Sequence, residues 1–441
     1  MQSTHTRSIG LLCAIAIGIG GMVGGGIFAV LGEAVSLADG ATYVAFFVAG
    51  LVALFTAYSY AKLSVHFQNR GGTVVFIDKA FKHGLLSGSI NLMLWLSYLV
   101  TISLYATAFA SYGGTFFPKD ASPYLNQVLI IVAILLPTWI NLVSASFVSK
   151  SEFIIVLIKV TLLILIILSG IHYIEPERLS PAHWEAPMSI VVAGMIIFVA
   201  YEGFELIANA AEDIIEPNKN LPRAFYGSVI FVIVLYVIIS IVTVGVVPVD
   251  QLLEAKDYAL AIAAKPALGQ VGFTIVAIAA LLSTFSAINA TIYGNARLGF
   301  FLAKEGELPH FLSKEKKNIP NVGVLITSFL SIILASSISL TEIAIIGSAG
   351  FLLIFTVVNI SAFKLSATIG ANKSIVFIST LLSTAALGTL LYHTYTSNPR
   401  AILVFGAFIL ISVLFEWSYG RLVRGHFLHR KYESTPSKED V

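Results

Sequence analysis

Twelve runs of apolar residues, each long enough to cross a lipid bilayer, leave this chain few ways to fold. They fall at about 9–37, 41–64, 85–117, 123–146, 152–172 and 188–211, then at about 222–247, 267–302, 321–337, 341–363, 374–395 and 399–419. In hydrocarbon a lipid-exposed backbone must satisfy its N–H and C=O groups internally, so each run is predicted to be a helix. The mean hydropathy of +0.90 and the charged fraction of 11% belong with that reading, since a soluble domain carries about 25% charged residues. The chain is read as an all-α polytopic membrane protein.

The basic residues orient it. With the N-terminus inside, 20 of the 26 lysines and arginines face the inner side. Lys119, Arg178, Lys256, Lys265 and Arg400 face out, and Lys159 remains within a span. That asymmetry predicts a multi-pass protein of the cytoplasmic (inner) membrane with both termini cytoplasmic. One transmembrane domain is expected over 1–420, with a small charged cytoplasmic tail over 421–441. The first apolar run continues into a full span without a small-residue cleavage pattern, so no removed signal peptide is expected.

Several classes of function are disfavoured. A net charge of +2 suggests no nucleic-acid partner. The single cysteine, Cys13, can form no internal disulfide. No CxxC, HExxH or nucleotide-binding motif occurs, which argues against a metal site, an intramembrane enzyme and a primary pump. A channel would need rings of polar residues along a continuous pore, whereas the sequence offers isolated polar sites.

Lys159 is the costliest of those sites. It lies in FIIVLIKVTLLILIILS, Phe153–Ser169, where the only polar residue within five positions is Thr161. A lysine at the bilayer centre costs at least about 2.5–3.5 kcal/mol. Counted from Glu152 it is about 10 Å deep at 1.5 Å per residue, so snorkelling to the headgroups is strained. A buried ammonium with a partner is the expectation.

Two spans carry interruptions. The first reads GIGGMVGGGIF over Gly18–Phe28, with glycine at 18, 20, 21, 24, 25 and 26. Gly20 and Gly24 fit close GxxxG packing, but three successive glycines point in three directions and favour an unwound segment. Such a break is tolerated only where protein or a cavity surrounds it. It would start a new half-helix near Gly25–Ile27, whose N–H groups suit a carboxylate. Carbonyls near Gly20–Val23 would suit an ammonium or sodium ion. The sixth span, IIFVAYEGFELIANAAEDIIEPNKNLPRA from Ile196 to Ala224, places Glu202 and Glu205 around Gly203 inside an apolar run. These carboxylates must face the bundle interior or a polar cavity; one of them pairing statically with Lys159 is the competing reading. Interruptions in the first and sixth spans point to a secondary transporter with inverted repeats, spans 1–5 and 6–10, and two added spans. Ser283, Thr284 and Ser286 in the eighth span could complete a polar cluster with Lys159.

These segments resemble the amino acid permeases of the amino acid–polyamine–organocation superfamily along most of the chain. GMVGGGIF is similar to the first-helix motif of that family, and YEGFELIANAAEDIIEPNKNLPRA to its more specific sixth-helix signature. The run from Glu152 to Lys159, SAINATIYG (Ser286–Gly294) and LAKEGELP (Leu302–Pro309) are most like its archaeal proton-coupled, broad-specificity members. The resemblance implies a leucine-transporter-like fold of twelve helices, with a 5+5 inverted repeat, broken helices 1 and 6, and alternating access. It implies that the Lys159 ammonium stands where relatives hold a structural sodium ion, near Gly20 and the hydroxyls of Ser283, Thr284 and Ser286. It places the substrate carboxylate on the N–H groups of Gly24, Gly25 and Gly26. The substrate ammonium would then meet carbonyls near Met22 and Val23 and in Phe198, Val199, Ala200 and Tyr201. Glu205 falls where related exchangers place a carboxylate. Glu202 departs from the family pattern, being commonly apolar there, and puts the substrate's charge in question.

Burial disfavours a charged lysine and a nearby carboxylate favours it, so Lys159 and Glu205 are expected to serve proton coupling. The expected function is sodium-independent, proton-coupled symport of amino acids, neutral rather than cationic. The alternative is an exchanger for cationic amino acids or polyamines. No cofactor, no sodium site and no obligate protein partner are expected beyond the amino acid, the proton and the bilayer.

Overall fold

A computed structural model describes residues 7–69, 71–82, 84–118, 121–143, 145–316 and 319–423, with side chains left out at 145–152. From residue 424 onward the predicted tail lies outside the described residues. The elements are α1 (Leu11–Met22), α2 (Gly26–Ala38), α3 (Thr42–His66), α4 (Gly72–Phe81), α5 (Leu85–Gly114), α6 (Leu125–Val143), α7 (Ala145–Gly170), α8 (Pro187–Ile196) and α9 (Leu206–Asn209). There follow α10 (Pro217–Val246), α11 (Val249–Ala255), α12 (Ala259–Ala263), α13 (Lys265–Lys304), α14 (Asn321–Ser337), α15 (Leu340–Lys364), α16 (Lys373–Ser397) and α17 (Pro399–Leu422). Ten helical segments among the described residues are long and apolar enough to cross a bilayer. The pair α1–α2, bent by 48°, makes another, and α14 is a shorter apolar helix of 17 residues. Together they cover the twelve predicted runs.

The packing follows the predicted repeat. Span for span, α3 lies against α10, α5 against α13 and α6 against α14, while α2 lies against α8 and α1 against α9. Four second-repeat spans thus meet their first-repeat counterparts, whereas the fifth and tenth, α7 and α15, pack on other spans. The first, second, sixth and seventh spans form one layer and the third, fourth, eighth and ninth another. Helix α15 packs on α5 and α16, and α17 closes over α5 and α15.

The two interruptions are short and face each other. Helix α1 stops at Met22 and α2 opens at Gly26, so the first break is three residues long. In the sixth span α8 tightens into a 3₁₀ turn over Ile197–Tyr201, the chain is irregular through Glu202–Glu205, and α9 resumes at Leu206. The glycines pack as well as unwind. A Cβ on Gly21 would sit 2.7 Å from Gly203 Cα, and one on Gly26 would sit 2.7 Å from Ala200 Cα. Gly203 also holds φ at 120°, a conformation open to glycine. Unwinding and close packing, alternatives in the sequence, are here two aspects of one crossing.

One boundary agrees with the sequence reading and one segment differs from it. The fifth membrane span is Phe153–Tyr173, in line with the predicted 152–172, and helix α7 extends back from it to Ala145. The sequence also suggests two short amphipathic pieces in the inner loops, Gly72–Phe81 and Lys304–Lys317; the second is instead the end of α13, a turn, and a 3₁₀ turn at His310–Ser313. Residue 317 lies outside the described residues. The other piece, Gly72–Phe81, is helix α4 as expected.

Gly203→Ala is expected to destabilise the protein by about 1–3 kcal/mol or more, through positive φ and overlap with Gly21. The check is the thermal unfolding midpoint of purified protein. Gly388→Ala, where an added Cβ meets nothing within 4 Å, should leave it within error of wild type.

Candidate functional site

A cavity of about 470 Å³ runs inward from the end of the molecule that carries the start of α1. Its mouth is lined by Ile9 and Cys13, and its inner end by Gly20, Gly21, Tyr105 and Glu202. The walls are mostly apolar, as expected for a small-molecule site, with Thr73, Asn209 and Asn295 among the few polar side chains.

Lys159 is 2% exposed and donates from Nζ to the Gly20 carbonyl at 2.9 Å. Gly20 lies in the last turn of α1, whose closing carbonyls lack intrahelical donors. The ammonium therefore satisfies a free helix end and ties the fifth span to the first. The acceptor of this bond is a carbonyl, and the two buried acids have hydrogen bonds of their own. Glu205 accepts from the Tyr98 hydroxyl (3.1 Å) and from the Gly203 N–H (2.7 Å). Glu202 accepts from the Tyr105 hydroxyl (3.4 Å) and reaches the cavity.

The predicted eighth-span hydroxyls separate into three situations. Ser283 donates to Val23 O at 3.1 Å and closely to Gly24 O, so it caps the first break directly. Thr284 bonds back to Ala280 and Leu281 within its own helix. Ser286 is buried and its hydroxyl meets no hydrogen-bond partner among the described residues. The direct ties of the first break to the fifth and eighth spans thus run through Lys159 and Ser283.

Of the predicted substrate contacts, Glu202 alone lines the cavity, together with the lysine partner Gly20. Met22, Val23, Gly24, Gly25 and Gly26, and Phe198, Val199, Ala200 and Tyr201, are buried behind its inner end. The Tyr105 ring lies over Gly25, where an added Cβ would meet its Cγ at 2.8 Å. The break carbonyls are already engaged: Tyr236 donates to Met22 O (2.7 Å) and approaches Ala200 O (3.3 Å).

Four residues at this site went unmarked in the sequence. Tyr98 and Tyr105 on α5 and Tyr236 on α10 look like ordinary aromatics in apolar helices. Ser348 on α15 accepts from Val199 N–H (2.9 Å) and donates to Ile196 O (2.6 Å), restoring both bonding functions at the sixth-span break. Nothing in its local pattern distinguishes it from a hydroxyl bonded to its own turn.

Two broken spans crossing at a buried centre, beside a cavity open at one end, define a membrane transport protein. The profile of the amino acid permease family matches residues 9–415, and the chain belongs to that family. It is 34% identical to an uncharacterized protein of Methanocaldococcus jannaschii, over 97% of this chain and 98% of that one. It is 32% identical to the inner membrane transport protein YbaT of Escherichia coli, over 92% and 95%. The branched-chain amino acid permease BcaP of Bacillus subtilis is 25% identical over 82% of each chain.

Ser348→Ala should leave the Val199 N–H and the Ile196 carbonyl short of a partner, at a cost of about 1–3 kcal/mol. The measurement is chemical or thermal unfolding in detergent; Ser348→Thr, which keeps the hydroxyl, should lose less.

Proposed function

We propose that the protein takes up amino acids by sodium-independent, proton-coupled symport, alternating access between the two sides of the cytoplasmic membrane. The observation that carries this reading is the buried Lys159 ammonium on the Gly20 carbonyl, beside the inner end of the cavity. Charged, the lysine supplies the cation that ties the first span to the fifth; neutral, it releases a donor and loosens the tie. Glu205, held by Tyr98 and the Gly203 N–H, is the second proton-handling group. No sodium ion or other cofactor is needed in this scheme.

The substrate carboxylate meets the N–H groups of Gly24–Gly26 at the start of α2, where the helix dipole favours an anion. Its ammonium meets the carbonyls of Met22 and Ala200, each of which has a second lone pair beside its bond to Tyr236. Entry moves the Tyr105 ring from Gly25. Both termini are cytoplasmic, so the cavity faces the cytoplasm, and spans 1–5 and 6–10 are the repeats that rearrange. The protein acts without an obligate protein partner. Neutral substrates are supported by the likeness to the branched-chain amino acid permease and by the apolar walls. One observation favours the alternative, exchange of cationic amino acids or polyamines: the carboxylate of Glu202 reaches the cavity.

In proteoliposomes with pH and sodium gradients imposed separately, uptake of a labelled amino acid should follow the pH gradient and ignore sodium. Lys159→Ala should reduce it by about tenfold or more while the protein still folds. Full activity in that variant, or dependence on sodium, refutes the proposal. Glu202→Gln should keep uptake of neutral amino acids; selective loss of cationic substrates would instead establish the exchanger.

A further inference from the structure

At the end of the molecule away from the cavity, charged groups that play no part in the proposed transport chemistry close over α2. Glu33 on α2 is 4% exposed and pairs with Lys256 at 2.8 Å. It also accepts a close hydrogen bond from the Thr341 hydroxyl at the start of α15. Lys256 donates to that same hydroxyl at 3.2 Å, so the three side chains form a closed triangle. The neighbouring Asp257 accepts from Ser111 on α5 at 3.2 Å. Backbone contact is as tight as the polar one: a Cβ on Gly32 would sit 2.7 Å from the Lys256 carbonyl carbon.

A buried carboxylate is tolerated while its cation and hydrogen bonds are in place, and removing one partner leaves an uncompensated charge. If α2 swings away from the 256–258 turn, Glu33 gains water in exchange for these partners. The triangle is therefore specific to the arrangement in which this end is shut and the cavity at the other end is open. We infer that Glu33, Lys256 and Thr341 form a latch that holds this end closed, so that its strength sets the balance between the two orientations. The inference rests on the alternating-access reading given above.

Asp257 gives the latch a pH dependence. Burial pushes its carboxyl above the usual carboxylate range, with Glu33 adding to the effect and Ser111 and Lys256 opposing it. Tyr112 on α5 also faces it, and the acids of α11, Asp250 and Glu254, are exposed to solvent. Opening hydrates Asp257 and returns it toward its ordinary value, so the closed form binds the proton more tightly. Acid therefore favours the closed latch, and that support fades as pH rises through the raised value.

The sole cysteine provides the readout. Cys13 is exposed at the cavity mouth, and a deeper reporter comes from Ala290→Cys in a Cys13→Ser background. In purified protein without substrate, Lys256→Met and Thr341→Val should each slow maleimide labelling of both reporters by about threefold or more. Lys256→Arg should stay near wild type, and the wild-type rate, divided by that of the SDS-unfolded protein at the same pH because maleimide takes the thiolate, should rise as pH falls. Equal rates in Lys256→Met, Thr341→Val and wild type overturn the inference. Because Lys256 is 40% exposed, its replacement is expected to fold; unfolding midpoints and thiol titration in SDS verify this. Should Lys256→Met fail to fold, Thr341→Val decides. The assay needs no transported substrate, so failed amino acid uptake would refute the proposed function without touching this result.

Discussion

The crossing of the two broken spans at Gly21 and Gly203 is the contact on which the rest of the structure depends. Backbone meets backbone there, with no room for a side chain on either strand. The close approach brings the free end of α1 and the irregular segment 202–205 into one small volume, and everything polar at the centre gathers around it. Because both backbones are held, displacement of one break is felt directly by the other.

Breaking a helix in a dry interior leaves carbonyl and N–H groups that must find partners. The protein meets this need with fixed side chains. Lys159 and Ser283 serve the first break, Tyr236 spans both breaks, and Ser348 serves the sixth. Each comes from a different helix, α7, α13, α10 or α15, so the breaks report on the position of those four elements. On the proposed reading, substrate and proton act by exchanging these bonds, which couples binding at the centre to movement at the periphery.

The two ends of the molecule differ in how they are closed. One admits a cavity lined by α1, α9 and α13 down to Glu202. The other is sealed by the Glu33–Lys256–Thr341 triangle and by the Tyr112 hydroxyl on the Phe28 carbonyl at 3.3 Å. Helix α2 belongs to both regions, since its first turn meets the break and its last turns carry Glu33. On the proposed reading, it is the element through which events at the centre reach the closed end.

The sequence by itself determined the helical class, the twelve runs and the interruptions, because hydrocarbon length, backbone satisfaction and clustered glycine are local demands that composition must obey. It also marked Lys159, since a lone charge among apolar neighbours is visible wherever the chain folds. Spacing along the chain does not say what that charge meets; the family resemblance pointed to Gly20, and the tertiary structure brings the two together. The Gly20 carbonyl is 139 positions away, and no spacing rule relates them. The same holds for Tyr98, Tyr105, Tyr236 and Ser348, whose residue types are ordinary in apolar helices until packing aims them at a broken backbone. Glu202 and Glu205 were legible as buried acids, but their partners were not, because a hydroxyl that serves a carboxylate is chosen by proximity across helices. The physical division is between demands a segment must satisfy alone and bonds that exist only once separate segments touch.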